Sequence, residues 1–86
     1  MIIIRLRVVV RAFVFVKVRA GSEMEVLGKL RKFPEVKESY FVYGLYDLVA
    51  VVETDSMEHL KDAVTWKIRR LGSVISTITS MIAETK

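Results

Sequence analysis

The sequence predicts an α+β fold in which a four-stranded antiparallel sheet carries two helices on one face. Three observations predict it. Four separate segments are dominated by β-branched and aromatic residues. Two intervening segments repeat apolar residues at offsets of three and four, and the segments follow the order strand, helix, strand, strand, helix, strand. A chain of 86 residues holds one such unit, since a single core normally serves ~100 to 200 residues.

The opening MIIIRLRVVVRAFVFVKVRAG is too rich in Val, Ile and Phe for a helix. AFVFVKV, residues 12–18, is read as the first strand, and residues 1–11 as an N-terminal arm or extra strand. Gly21 turns the chain. Ser22 followed by Glu25 has the capping-box spacing that satisfies helix-start amides, and Met24, Val26, Leu27 and Leu30 form the apolar stripe of the first helix. Gly28 weakens this helix by ~1 kcal/mol relative to alanine. Pro34 ends it, because proline disfavours helical geometry in the residue before it. VKESYFVYG and LYDLVAVVE follow as strands joined tightly around Gly44, which accepts positive φ without penalty. Asp55 and Glu58 repeat the capping-box spacing before a helix whose stripe is Met57, Leu60, Val64, Ile68 and Leu71, and Gly72 stops it. The last strand is SVISTITSMIA, with Val74, Ser76, Ile78, Ser80 and Ile82 on one face and Ile75, Thr77, Thr79 and Met81 on the other.

This order is the ferredoxin-like βαββαβ arrangement. A sheet covered by helices on one face and water on the other alternates apolar with polar residues. Here the alternation fails: Ala12, Val14, Val16 and Val18 oppose Phe13 and Phe15, and Leu48, Ala50 and Val52 oppose Val49 and Val51. The uncovered face is therefore expected to be buried against a second copy, giving a homodimer, a dimeric α/β sandwich.

Composition narrows the function. With 52% hydrophobic residues and a mean hydropathy of +0.37, so small a chain is left with apolar surface. There is no cysteine, and His59 is the only histidine, which excludes disulfide scaffolds, thiolate zinc sites and Cys/His nucleophile pairs. No cofactor is expected. Three of the four net positive charges come from Arg5, Arg7 and Arg11, and the remaining cations are scattered among acids, so a clustered phosphate-binding surface is not expected. The longest uncharged run, LGSVISTITSMIA, is too short for a membrane span, and the arginine-interrupted start does not read as a secretory signal. A cytoplasmic location is expected. The absence of Asn, Gln and Cys, with charges mostly from Glu, Lys and Arg, suits a hot-environment source.

FVFVKV, the Pro-containing break before EVKESYFVYGLYD, and KIRRLGSV with its Ser/Thr-rich last strand resemble the effector-binding half of the Lrp/AsnC transcription regulators, the RAM domain. VYGLYDLVAVVE is the most specific of these stretches; the resemblance covers residues 11–82, and the domain is assigned to 12–86. Family members normally carry an N-terminal helix-turn-helix, which the β-prone first eleven residues do not supply. The chain thus resembles the stand-alone RAM proteins, which form dimers and often rings of dimers. The resemblance implies a noncatalytic amino-acid-binding and oligomerisation module that can also pair with DNA-binding relatives.

It further implies that the turn from Gly44 to Asp47 borders a pocket between dimers, with Asp47 facing the ammonium of a free amino acid and turn amides its carboxylate. A purely structural role stands beside this: an acid after a turn accepts backbone hydrogen bonds and fixes strand register. Thr77 and Thr79 are the family-like polar positions on the last strand, or else β-branched filler. Tyr43 and Tyr46, with Tyr40, wall the pocket or cover sheet edges. Trp66 is read as a contact between dimers or an exposed flank, and His59 as solvated and without a role. Two other functions compete: a small dimeric enzyme of monooxygenase type, disfavoured because no paired acid and base are evident, and a structural assembly module that binds nothing.

Overall fold

The computed structural model describes residues 9–83. Its strands are β1 (Val10–Val18), β2 (Val36–Phe41), β3 (Leu48–Thr54) and β4 (Val74–Met81), and its helices are α1 (Glu23–Leu30) and α2 (Met57–Asp62). All strand pairs are antiparallel, in the order β2-β3-β1-β4, so the ferredoxin-like expectation holds. β1 starts two residues earlier than expected, taking in Val10 and Arg11. The rest of the proposed arm, up to Val8, lies outside the described residues.

The two faces of the sheet differ as the strand pattern requires. Paired residues point to the same side, so Ala12 and Val52, Val14 and Ala50, and Val16 and Leu48 form a continuous layer under the helices, and all six are fully buried. Val26, Leu27 and Leu30 of α1 close this core from above, as do Leu60, Val64 and Ile68. The opposite face carries the row Tyr40, Val49, Phe15, Ile78 and beside it the row Glu38, Val51, Phe13, Ser80. No element among the described residues covers it.

Several expectations need correction. Met24 and Met57 belong to neither core stripe; both stand exposed at the first turn of their helices. The Ser22 side chain makes no capping bond, and Glu23 instead accepts from the Gly21 amide at 3.1 Å. At α2 the cap is Ser56, one residue later than expected, whose Oγ accepts from the His59 amide at 3.0 Å. The β2–β3 connection is not tight: residues 42–47 form a loop closed by Val42 N–H donating to the Asp47 carbonyl at 2.9 Å, with Gly44 at φ 154. In β4 the faces are as expected from Ser76 onward, but a register shift beside Lys17 and Val18 turns Val74 to the helix side.

One feature has no counterpart in the sequence pattern. α2 runs on into a π-helical segment, Ala63–Ile68, with Arg69 N–H donating to the Val64 carbonyl five residues back. In an α-helix, residues eight apart are displaced by roughly 80° around the axis. The wider turn rotates less per residue and returns Lys67 toward the face that carries His59.

Candidate functional site

The loop 42–47 sits at the end of the sheet opposite to the helix start at Ser56. Asp47 is held on both sides of its peptide: its N–H donates to the Val16 carbonyl at 3.0 Å, and its Oδ2 accepts from the Val18 amide at 2.9 Å. The carboxylate therefore takes the place of a ladder carbonyl just where β3 begins. Without it the amide of Val18, a buried residue, has no acceptor there, which explains an acid at the head of an apolar strand. The expected structural role is present, with an amide of β1 as the donor rather than the turn amides. Tyr46 leans on Phe15 across the open face, with ring centroids 6.2 Å apart. Lys17 reaches back to the Leu45 carbonyl at 3.3 Å. Tyr43 stands fully in solvent, and Gly44 beside it is exposed.

Thr77 and Thr79 lie across β1 from this loop. Val16 is flanked by Leu48 on one side and Thr77 on the other, so the start of β3 and Thr77 are two strand spacings apart, about 10 Å. Both threonines face the helix side, near the sheet edge. A single chain thus groups Tyr46 with Asp47 and leaves the two threonines apart from them.

A second polar cluster lies at the other end of the molecule. Glu35, almost wholly buried, accepts from Lys67 Nζ at 2.7 and 3.0 Å and meets His59 Nε2 at 3.0 Å, while His59 Nδ1 meets Asp55 at 3.0 Å. Burial pushes the Glu35 carboxyl up, but bonds from Lys67, His59 and its own backbone amide outweigh this and set its pKa at about 2. Glu35 and Asp55, in that order of weight, raise the His59 pKa, and the His59 bond lowers that of Asp55. An open cavity of about 440 Å³ lies alongside, lined by Glu35, Lys37, Glu53, Thr54, Asp55 and His59 among others. His59 is therefore not idle, contrary to expectation. Every member has a partner within the cluster, so the arrangement joins the segment before β2 to α2 and leaves no free acid and base to work together.

Of this cluster only the Asp55–His59 pair, four residues apart on a helix start, is visible in sequence spacing. Glu35 is brought in by the chain path, and Lys67 by the π-helical segment. Trp66 is exposed beneath the Arg70 guanidinium, 4.8 Å from its ring centroid. Among the described residues no helix is long and apolar enough to cross a membrane, and no group of His, Asp or Glu could hold a metal.

Comparison with known proteins agrees with this architecture. The family model described as the Lrp/AsnC ligand binding domain matches residues 11–86. The HTH-type transcriptional regulator FL11 of Pyrococcus furiosus is 43% identical over 51 residues, covering 59% of this chain and 34% of that protein. The chain thus spans about a third of the length of the curated relatives it matches. Among solved structures, FFRP-DM1 is 44% identical with a TM-score of 0.83, covering 86% of this chain and 99% of that one. The Neisseria meningitidis regulator NMB0573, solved as a complex with L-Met, shares the fold at 22% identity and a TM-score of 0.79, over 87% of this chain and 50% of that one. The curated relatives are named HTH-type transcriptional regulators. A four-stranded sheet bare on one face, an acid-headed third strand and a match along nearly its whole length place this chain in the Lrp/AsnC ligand-binding domain family.

Proposed function

We propose that the chain is a noncatalytic sensing and assembly module: it pairs through its open sheet face and binds a free amino acid between copies. The observation that carries this is the uncovered face itself. Tyr40, Phe13 and Ile78 are each more than two-fifths exposed on it, around Phe15, Val49 and Val51. Glu38, Arg11, Glu53 and Lys17 edge this apolar centre, the distribution of a protein–protein interface with a dry core and polar rim. The facing twin supplies the same surface, so apolar meets apolar across a two-fold axis.

The ligand site falls at the loop end of the sheet, between one such pair and the next. Asp47 spends Oδ2 on the Val18 amide and keeps a second oxygen for an ammonium group. Tyr43 and Tyr46 flank it and Gly44 opens the tip, while Thr77 and Thr79, on the helix side near the sheet edge, contribute hydroxyls where a neighbouring pair of chains brings that edge to the loop. The L-Met complex of a protein with the same fold supports an amino acid as the ligand class. Both described helices pack on the sheet, and DNA contact is assigned to family relatives met through the same face.

Two measurements test the reading separately. Light scattering after gel filtration at micromolar concentration should give at least twice the chain mass; a stable folded monomer refutes the pairing. Calorimetric titration with each of the twenty amino acids should show one that binds at millimolar levels or better, with binding lost in Asp47→Asn, which keeps the acceptor for Val18 but not the charge. If none binds, the sensing function falls and the assembly function stands.

A further inference from the structure

The two edges of the sheet are unlike. β2 carries Lys37 and Glu38 and a register shift between Val36 and Glu38, features that discourage pairing with another strand. β4 has no charge, no proline and eight residues, nearly all exposed, and among the described residues only β1 lies beside it. Its sequence reads the same in both directions about Ile78: Ile-Ser-Thr-Ile-Thr-Ser-Met, with Met81 answering Ile75.

Backbone direction agrees with this symmetry. Ile82 N–H donates to Arg11, and pairs alternate along an antiparallel ladder, so Ser80 and Ile78 turn their peptide groups toward β1. Thr79 and Thr77, between them, turn theirs outward to the free edge. A second β4 laid antiparallel with Ile78 opposite Ile78 places Thr77 opposite Thr79, which is the pair whose outward groups can exchange both hydrogen bonds. The same register sets Ser76 against Ser80 and Ile75 against Met81. Like side chains meet at every step, and no like charges oppose.

From this we propose that β4 is a second self-association surface, at which two chains join edge to edge in an antiparallel β4–β4 pair centred on Ile78. This goes beyond face-to-face pairing: it uses the edge and a different two-fold axis. Two distinct isologous contacts on one chain generate assemblies larger than a dimer, closed or open according to the angle between the axes.

A single cysteine reports the register, because the chain has none of its own. At the axis the two Ile78 Cβ atoms stand about 4.5–5.5 Å apart, close to disulfide distance, whereas Ser76 is four residues out of step with its own copy. Under mild oxidation Ile78→Cys should become a covalent dimer at least tenfold faster than Ser76→Cys. Adding Thr79→Pro removes only an outward N–H, so it should abolish that cross-link and reduce the scattering mass of the wild type to a dimer, with the circular dichroism of the fold retained. If proline unfolds the chain, Thr77→Lys with Thr79→Lys sets like charges against each other at the same pairs and should act alike. Equal cross-linking with and without the blocking substitution would assign the contact to the sheet face and overturn the proposal. So would no preference for position 78, or a wild type no larger than a dimer.

Discussion

Glu35→Gln tests whether the buried cluster stabilises the fold by ionisation. The Glu35 pKa falls from 4.5 to about 2, and each unit is worth about 1.4 kcal/mol, so the ionised carboxylate contributes about 3 kcal/mol. The folded-state value is the depressed one. The contribution is therefore fully present above the unfolded pKa of 4.5 and is lost as pH falls toward 2. Histidine runs the other way: its folded-state pKa is raised, so its contribution is present below 6.5 and fades as pH rises through the raised value. Both are complete between pH 4.5 and 6.5, where stability should peak. Urea unfolding at fixed protein concentration, needed because association adds its own term, should show the wild type losing about 3 kcal/mol more than Glu35→Gln between pH 6 and pH 2. In the variant the alkaline decline should also shrink, leaving only the Asp55 contact. A difference between the two proteins that does not change with pH would refute this account, since steric loss alone has no such dependence.

Three other substitutions separate roles within the chain. Phe15→Glu puts a charge at the centre of the open face and should turn the assembly into smaller species in sedimentation, with helix content unchanged. Asp47→Ala orphans the Val18 amide and should cost about 1–3 kcal/mol in denaturant unfolding, while Asp47→Asn should cost clearly less. Equal losses would mean that charge rather than the backbone bond matters there. Ser56→Ala should cost about 1 kcal/mol, and Glu58→Ala close to nothing, because the hydroxyl at Ser56 is the cap in use.

Element order and the two-sided apolar strands were legible because both depend on local periodicity, which a sheet preserves from residue to residue. Val14 and Val16 go under the helices and Phe13 and Phe15 to the open side, with no long-range information needed. The helix ends were less so. Ser22 and Ser56 both carry capping signatures, but which hydroxyl bonds depends on how the chain enters the helix, and Glu23 reaches the Gly21 amide first. Met24 and Met57 match their stripes in spacing, yet in the first turn of each helix both are left exposed. The Glu35 cluster was illegible for a different reason: Glu35, His59 and Lys67 are distant in sequence, and the π-helical segment that aligns two of them has no compositional mark. In the candidate site, Asp47 announced itself as an acid at the head of an apolar strand, but the separation of Thr77 from it follows from strand order, which no spacing reveals.

Small size ties these features together. A chain of this length buries only about 60–65% of the surface its unfolded form exposes, and it has no disulfide to restrict the unfolded state. What remains is to bury surface between chains. On the proposed function the open face would do this with side chains, and the β4 edge would do it with backbone groups that already lack partners among the described residues. Because association acts on the folded state alone, each contact adds stability that grows with concentration. A ligand held between copies, as proposed, would draw on the same linkage: it would bind only where chains have met, and so report to the assembly rather than to one fold. The melting temperature should therefore rise with protein concentration, and rise further with a bound amino acid; a value independent of concentration across the micromolar range would show that the monomer stands by itself.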